Sequence, residues 1–293
     1  MFRNLLVPTD LSANAACAVP YAVRLAQAIG AARITFFHAT GRYLPTSTPV
    51  RLYHELTEDM IREGQRALEA HVRQVLQADG LAYDPTCMSL LVRNEGYFDV
   101  IGEVIRHEQP DLIVMGTEGA TGLKKFVLGS NTVKTLNLAT SHVLAVPNGC
   151  AYAPSQRILY ASDLRHVDQE AGPVTVLATA LAAPLTLLHF YDPEPSGEPE
   201  PVDAAQDSSR LGERIPYAPL SLLLKPLLPG EDAGKLLQAV VKEQQASLLV
   251  MFARHKNWLE RLMGSSNTGE AFYSSRVPVL ALRSSDDHPS ITN

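Results

Sequence analysis

The residues best suited to chemistry lie between Met115 and Pro147. Two residues separate Gly116 from Gly119, nine separate Gly119 from Gly129-Ser130, and Asn131 and Thr132 come next. Glycine permits positive φ and close approach of the backbone to a ligand. A Gly-Ser step that opens a helix presents unpaired N–H groups at the positive end of a dipole. Together these make an anion cradle, most often for phosphate. A second group, Pro8-Thr9-Asp10, closes the first apolar run of the chain. Asp10 is a carboxylate that can accept hydrogen bonds from a base or ribose. Alone it reads as a residue capping the helix that follows. The glycine spacing downstream favours the ligand reading.

These groups need a scaffold, and the apolar pattern supplies one. Asn4–Pro8 reads as a buried strand. Ser12 or Asn14 caps a helix running to Ile29, stopped by Gly30, with Pro20 expected to kink it or shift its start. Ala32–Ala39 is a second strand, Thr40–Val50 a polar loop, and Leu56–Ala78 a long helix whose apolar positions include His71. Tyr83–Val92 (strand), Phe98–His107 (helix) and Asp111–Met115 (strand) follow, then the glycine stretch, a fourth helix and a last strand, Val143–Val146. Strict alternation implies a parallel sheet with helices on both faces. In such sheets ligands sit beyond the carboxyl ends of the strands, where the winding reverses. If the first and fourth strands flank that point, Asp10 and the Gly116 loop face each other.

The pattern then restarts. Arg157–Leu164 repeats Asn4–Leu11, Leu185–Phe190 repeats Ile34–Ala39, Leu248–Met251 repeats Leu112–Met115, and Gly264-Ser265 echoes Gly129-Ser130. The duplication of about 140 residues marks two like domains and not a solenoid, whose repeats are far shorter. We place them at 1–149 and 154–284, with 148–156 as linker and 285–293 as a disordered tail. The copy has lost Gly116 and Gly119 to Phe252 and His255, and its loop is one residue shorter before Gly264. A Cβ at both positions blocks the approach of phosphate. Asp163 still matches Asp10. Asp192–Pro219, rich in Pro, Glu, Asp and Ser, reads as an exposed mobile loop.

Composition narrows the class. With 46% hydrophobic and 19% charged residues, the chain suits core-forming domains. A net charge of -6 argues against nucleic acid as a partner. Three cysteines, Cys17, Cys87 and Cys150, form no CxxC pair and read as buried or incidental thiols in a reducing compartment. No apolar run approaches the ~20 residues that span a bilayer, and no signal peptide fits, so a cytoplasmic location without membrane is expected.

The glycine spacing is neither a P-loop nor the GxGxxG dinucleotide fingerprint. Gly-2x-Gly-9x-Gly-Ser instead resembles the pattern of ATP-binding members of the universal stress protein family. Both halves resemble that family, as a tandem of two domains. The resemblance implies two like α/β domains of the adenine nucleotide alpha hydrolase-like class. Each would hold a five-stranded parallel sheet in the order 3-2-1-4-5, with helices on both faces. It implies that Asp10 contacts adenine and that Pro8, Thr9, Ala39, Met115, Gly116, Gly119, Gly129, Ser130, Asn131 and Thr132 line the pocket. It also implies ATP, with or without Mg2+, as the ligand, and a stress-response role. Members of that family pair through their last strands. Here Val143–Val146 and Val277–Leu282 are expected to pair within one chain, and the chain to form a homodimer.

Other polar groups carry less. Lys124 and Lys125 read equally as phosphate contacts or a solvated pair. His38 and His189 recur at matching positions and read as hydrogen-bonded structural residues. The spacing of His166, Asp168 and His255 gives no support for a metal site. GxSxG, HExxH, SGGxDS and HIGH-type loops are absent. No catalytic constellation is expected, and any hydrolysis of bound ATP should be slow. The expectation is an ATP-binding regulator and not an enzyme. An interaction scaffold without ATP, or a slow ATPase, stays open.

Overall fold

The computed structural model describes residues 2–117, 130–165, 167–191, 193, 214–252 and 277–283. The chain divides into two units, changing between Tyr152 and Ala153. Each is taken by itself below.

The N-terminal unit runs β1 (Asn4–Pro8), α1 (Ala18–Ile29), β2 (Arg33–Ala39), α2 (Val50–Ala78), β3 (Met88–Arg93), α3 (Tyr97–Glu108), β4 (Leu112–Gly116), α4 (Ser130–Leu138) and β5 (His142–Val146). Its strands are all parallel, in the order β3-β2-β1-β4-β5. Helices cover both faces, so the central strands are continuous apolar runs instead of alternating ones. Leu5, Leu6, Val7, Phe36, Phe37, Ile113 and Val114 are wholly buried. This is the α/β class and strand order expected above.

Boundaries moved where local chemistry outweighed periodicity. Helix α1 starts at Ala18, not near Ser12, which places Pro20 in the first turn, where its missing N–H costs nothing. Ser12 Oγ accepts from Ala15 N at 3.2 Å within the preceding turn. Gly30 ends the helix in the left-handed region, φ 67°, with its N–H on Ala26 O. Helix α2 begins at Val50, six residues before the expected Leu56, directly after Pro49. Strand β3 begins at Met88 and not Tyr83, because Asp84 Oδ1 accepts from Thr86 N at 2.9 Å and folds 84–87 into a turn.

The C-terminal unit repeats the plan: β6 (Ile158–Ala161), α5 (Val167–Ala180), β7 (Leu185–Tyr191), β8 (Leu220–Pro226), α6 (Ala233–Glu243), β9 (Leu248–Phe252) and β10 (Val279–Leu282). Its parallel order is β10-β9-β6-β7-β8, the same winding. Asp232 caps α6 by accepting from Gly234 N and Lys235 N. The loop expected over Asp192–Pro219 is anchored at its end. Ile215 is 1% exposed, Tyr217 OH donates to Ala183 O at 2.6 Å, and Arg214 forks onto both Asp168 oxygens at 2.7 and 2.8 Å. Residues 194–213 and the expected tail, 285–293, lie outside the described residues.

Candidate functional site

Strand β1 lies directly beside β4, with Leu5 opposite Leu112 and Leu6 opposite Ile113. The strand order reverses at this pair, so their carboxyl ends open onto the crevice where α/β sheets take ligands. Asp10 leaves one side of it and Gly116 ends the other.

The β1 side is a tightly tied loop. Thr9 N donates to Phe37 O at 2.8 Å, Leu11 N to Thr9 Oγ1 at 3.1 Å and Ser12 N to Asp10 Oδ1 at 3.0 Å. Leu11 sits at φ 63°, a left-handed conformation uncommon for a non-glycine residue. His38, at the end of β2, holds the loop from beside it: its Nδ1 lies 2.9 Å from Thr9 O. A carbonyl only accepts, so Nδ1 carries the proton.

Helix α2 adds His71, which the sequence places on the apolar stripe. His71 lies within electrostatic reach of Asp10 and His38. Burial pushes its imidazole below the ordinary value and His38 pushes the same way, while Asp10 pulls it up. Its Nε2 is shut from solvent with no hydrogen-bond partner among the described residues. Nothing in the spacing of α2 marks His71 as different from its apolar neighbours.

The β4 side is fixed through α4. Thr132, 2% exposed, donates its hydroxyl to Gly116 O at 2.9 Å, pinning the first turn of α4 to the end of β4. Thr135 Oγ1 donates to Asn131 O at 2.8 Å and meets Tyr97 OH at 2.6 Å, joining α4 to α3. Tyr97 in turn packs on Phe37, ring centroids 6.0 Å apart. Burial raises the Tyr97 phenol well above its usual value, so it stays a neutral strut.

Of the residues singled out in the sequence, Pro8, Thr9, Asp10, Ala39, Met115, Gly116, Ser130, Asn131 and Thr132 are described. Pro8 and Ala39 end β1 and β2, Met115 and Gly116 end β4, and Ser130, Asn131 and Thr132 open α4. All belong to the carboxyl-end side of one sheet. Met115 is 4% exposed, and Thr132 spends its hydroxyl on Gly116. Gly119, Gly129, Lys124 and Lys125 lie outside the described residues, as do His166 and His255.

The C-terminal unit keeps the β1 loop almost atom for atom. Leu164 sits at φ 63°, Leu164 N donates to Ser162 Oγ at 3.1 Å, Arg165 N to Asp163 Oδ1 at 3.0 Å, and His189 Nδ1 lies 3.0 Å from Ser162 O. The other side differs. Phe252 ends β9 where Gly116 ends β4, and its ring meets Tyr160 edge-on at 6.1 Å. Tyr160 is fully buried and donates to Glu170 Oε2 at 2.6 Å. Among the described residues no group of three His, Cys, Asp or Glu side chains could hold a metal ion. No helix among them is long and apolar enough to cross a membrane.

Residues 1–147 match the model of the Universal stress protein family. Over 147 residues the chain is 27% identical to Universal stress protein MJ0531 of Methanocaldococcus jannaschii, covering 50% of this chain and 82% of that protein. Among solved structures, a universal stress protein from Archaeoglobus fulgidus aligns over 98% of both chains with a TM-score of 0.63 and 20% identity. The functionally unknown protein PA1789 from Pseudomonas aeruginosa aligns over 97% of this chain and 94% of its own, with a TM-score of 0.56 and 17% identity. These two likenesses concern the fold.

Proposed function

We propose that this chain, which belongs to the universal stress protein family, binds ATP at the carboxyl end of its N-terminal sheet and acts as a nucleotide-dependent regulator in a stress response. The observation that carries the reading is the adjacency of β1 and β4 at the reversal of strand order. It sets the Asp10 loop and the Gly116 end across one crevice, with α4 opening beside Gly116. Pro8, Thr9, Asp10 and Ala39 take the base and ribose. Met115, Gly116, Gly119, Gly129, Ser130, Asn131 and Thr132 take the phosphates, Thr132 by holding Gly116 in place. Any Mg2+ would arrive on the phosphates, since the described residues around the crevice offer it no cluster of ligands.

In the C-terminal unit Phe252 stands in the place of the first glycine and packs on Tyr160. That unit therefore has a structural or partner-binding role. On this reading any hydrolysis is slow and the occupancy of the site by ATP is the signal. Assembly into a homodimer of cytoplasmic chains belongs to the same proposal and is read by sedimentation.

Calorimetric titration of the full chain with ATP tests the reading. One site per chain is expected. Asp10→Ala should weaken it about tenfold, the effect of one or two hydrogen bonds of ~1 kcal/mol each. Gly116→Val should abolish it by placing a branched side chain at the end of β4. Full affinity in either variant overturns the site. Two sites per chain overturn the assignment to one half.

A further inference from the structure

We propose that Cys17 and Cys150 are a modification site, a thiol pair that closes to an intrachain disulfide when the protein meets a hydroperoxide. The two residues are far apart in sequence but meet at one atom. Cys17 stands at the start of α1, and its Sγ donates to Pro147 O at 3.3 Å. Cys150 N donates to the same oxygen at 3.1 Å. The sulfur of one residue and the backbone of the other are thus no farther apart than those two distances laid end to end.

The turn that returns Cys150 to Pro147 depends on Gly149, whose φ of 72° an L side chain rarely adopts. The Gly149 N–H also points at the Cys17 sulfur. A second tie, Asn148 Nδ2 to Asn14 Oδ1 at 3.2 Å, holds the turn against the segment leading into α1. The pair lies wholly within the N-terminal unit. Cys150 Sγ now donates to Ala151 O at 3.6 Å, and closing the bond requires this side chain to rotate. Side-chain rotations of this kind are fast. All three cysteines are free thiols and all are half-buried.

The chemistry balances in two steps. One thiolate attacks a peroxide oxygen, giving a sulfenic acid and releasing water once protonated. The second thiolate then attacks that sulfur, forms the S–S bond and expels hydroxide, which leaves as a second water. Two thiols lose two electrons and two protons, and hydrogen peroxide takes up both.

The surroundings set the pace. Burial, and next the nearby Cys150 sulfur, hold the Cys17 thiol up at about 11, and burial raises Cys150 as well. Both are mostly thiols at neutral pH, so the reaction should be slow and should quicken roughly tenfold per pH unit from 7 to 9. Tyr21 is within electrostatic reach of Cys150 and of Tyr152, and burial raises its phenol far above the usual value, so it stays neutral across that range.

The test uses the full folded chain in a Cys87→Ser background, treated with hydrogen peroxide, then alkylated, digested and analysed by mass spectrometry. The expected product has lost two hydrogens and yields one linked peptide pair containing Cys17 and Cys150. Dithiothreitol should restore both thiols. Cys17→Ser and Cys150→Ser should each abolish the link. Linkage between chains, sulfinic or sulfonic acid without a link, or two thiols still alkylated at pH 9 would each overturn the proposal. So would a link that forms only after the protein is unfolded.

Discussion

Thr132→Val asks whether one hydroxyl holds the phosphate side of the crevice together. Valine has nearly the shape of threonine, so little is lost but the donor. The wild-type hydroxyl meets Gly116 O at 2.9 Å in a place only 2% exposed, where water cannot replace it. The net value of such a bond is ~1 kcal/mol, and a carbonyl left short of a donor in a buried place adds a further ~1–3 kcal/mol. These do not simply add, and about 2 kcal/mol is expected. Hydrogen exchange of β4 and α4 amides reads this locally, without requiring the whole chain to unfold as one unit. A loss of that size speeds exchange about 30-fold. Thr132→Ser keeps the hydroxyl and drops one methyl, which costs ~0.8 kcal/mol and speeds exchange only about fourfold. If valine left exchange unchanged, or serine harmed it more than valine, the hydroxyl would not be what pins α4 to β4.

Three further outcomes follow from named contacts. Gly64→Ala should destabilise despite the ~1 kcal/mol helical preference of alanine. Its Cβ would come within 2.9 Å of both Thr40 Cγ2 and Val92 Cγ1, and overpacking of this kind costs ~1–3 kcal/mol. Thermal denaturation showing a more stable variant would refute this. Tyr160→Phe removes the phenol that donates to buried Glu170 and should cost about 1–3 kcal/mol in denaturant titrations monitored on the C-terminal unit. An unchanged midpoint would show the bond to be dispensable. His71 has a folded value below 6.5, so its contribution is complete above that pH and is lost as pH falls through the folded value. His71→Leu should flatten the stability profile in that window, and an identical acid profile in both proteins would remove His71 from the account.

Much of the sheet was legible because both of its faces are covered. Leu5-Leu6-Val7 and Ile113-Val114 are unbroken apolar runs, and such runs leave strand centres in little doubt. The helix starts were not legible in the same way. The first turns of α2, from Val50 to Glu55, are all exposed, so Val50, Leu52 and Tyr53 mark no buried stripe that would tie them to the helix that follows. At α1 and β3 the boundary belongs to Pro20 and to the Asp84 turn, local effects that outweigh periodicity. At the site, Asp10 and Gly116 were visible as residue types at loop positions. His71 was not, because a histidine on an apolar stripe looks like core until the fold brings Asp10 within electrostatic reach of it. Cys17 and Cys150 were invisible as a pair for the same reason: only the packing of β5 against the start of α1 gives them a common carbonyl.

The twin left-handed leucines give the molecule a reference standard for its own binding site. Leu11 and Leu164 share one φ, one set of turn hydrogen bonds and one histidine clasp, yet only the first is paired with a glycine across its crevice. A spectroscopic or exchange signal that moves on adding nucleotide can therefore be compared with its counterpart in the same chain, at the same concentration, salt and temperature. Movement confined to Leu11 reports occupancy of the first crevice. Movement at both leucines reports something common to the whole molecule.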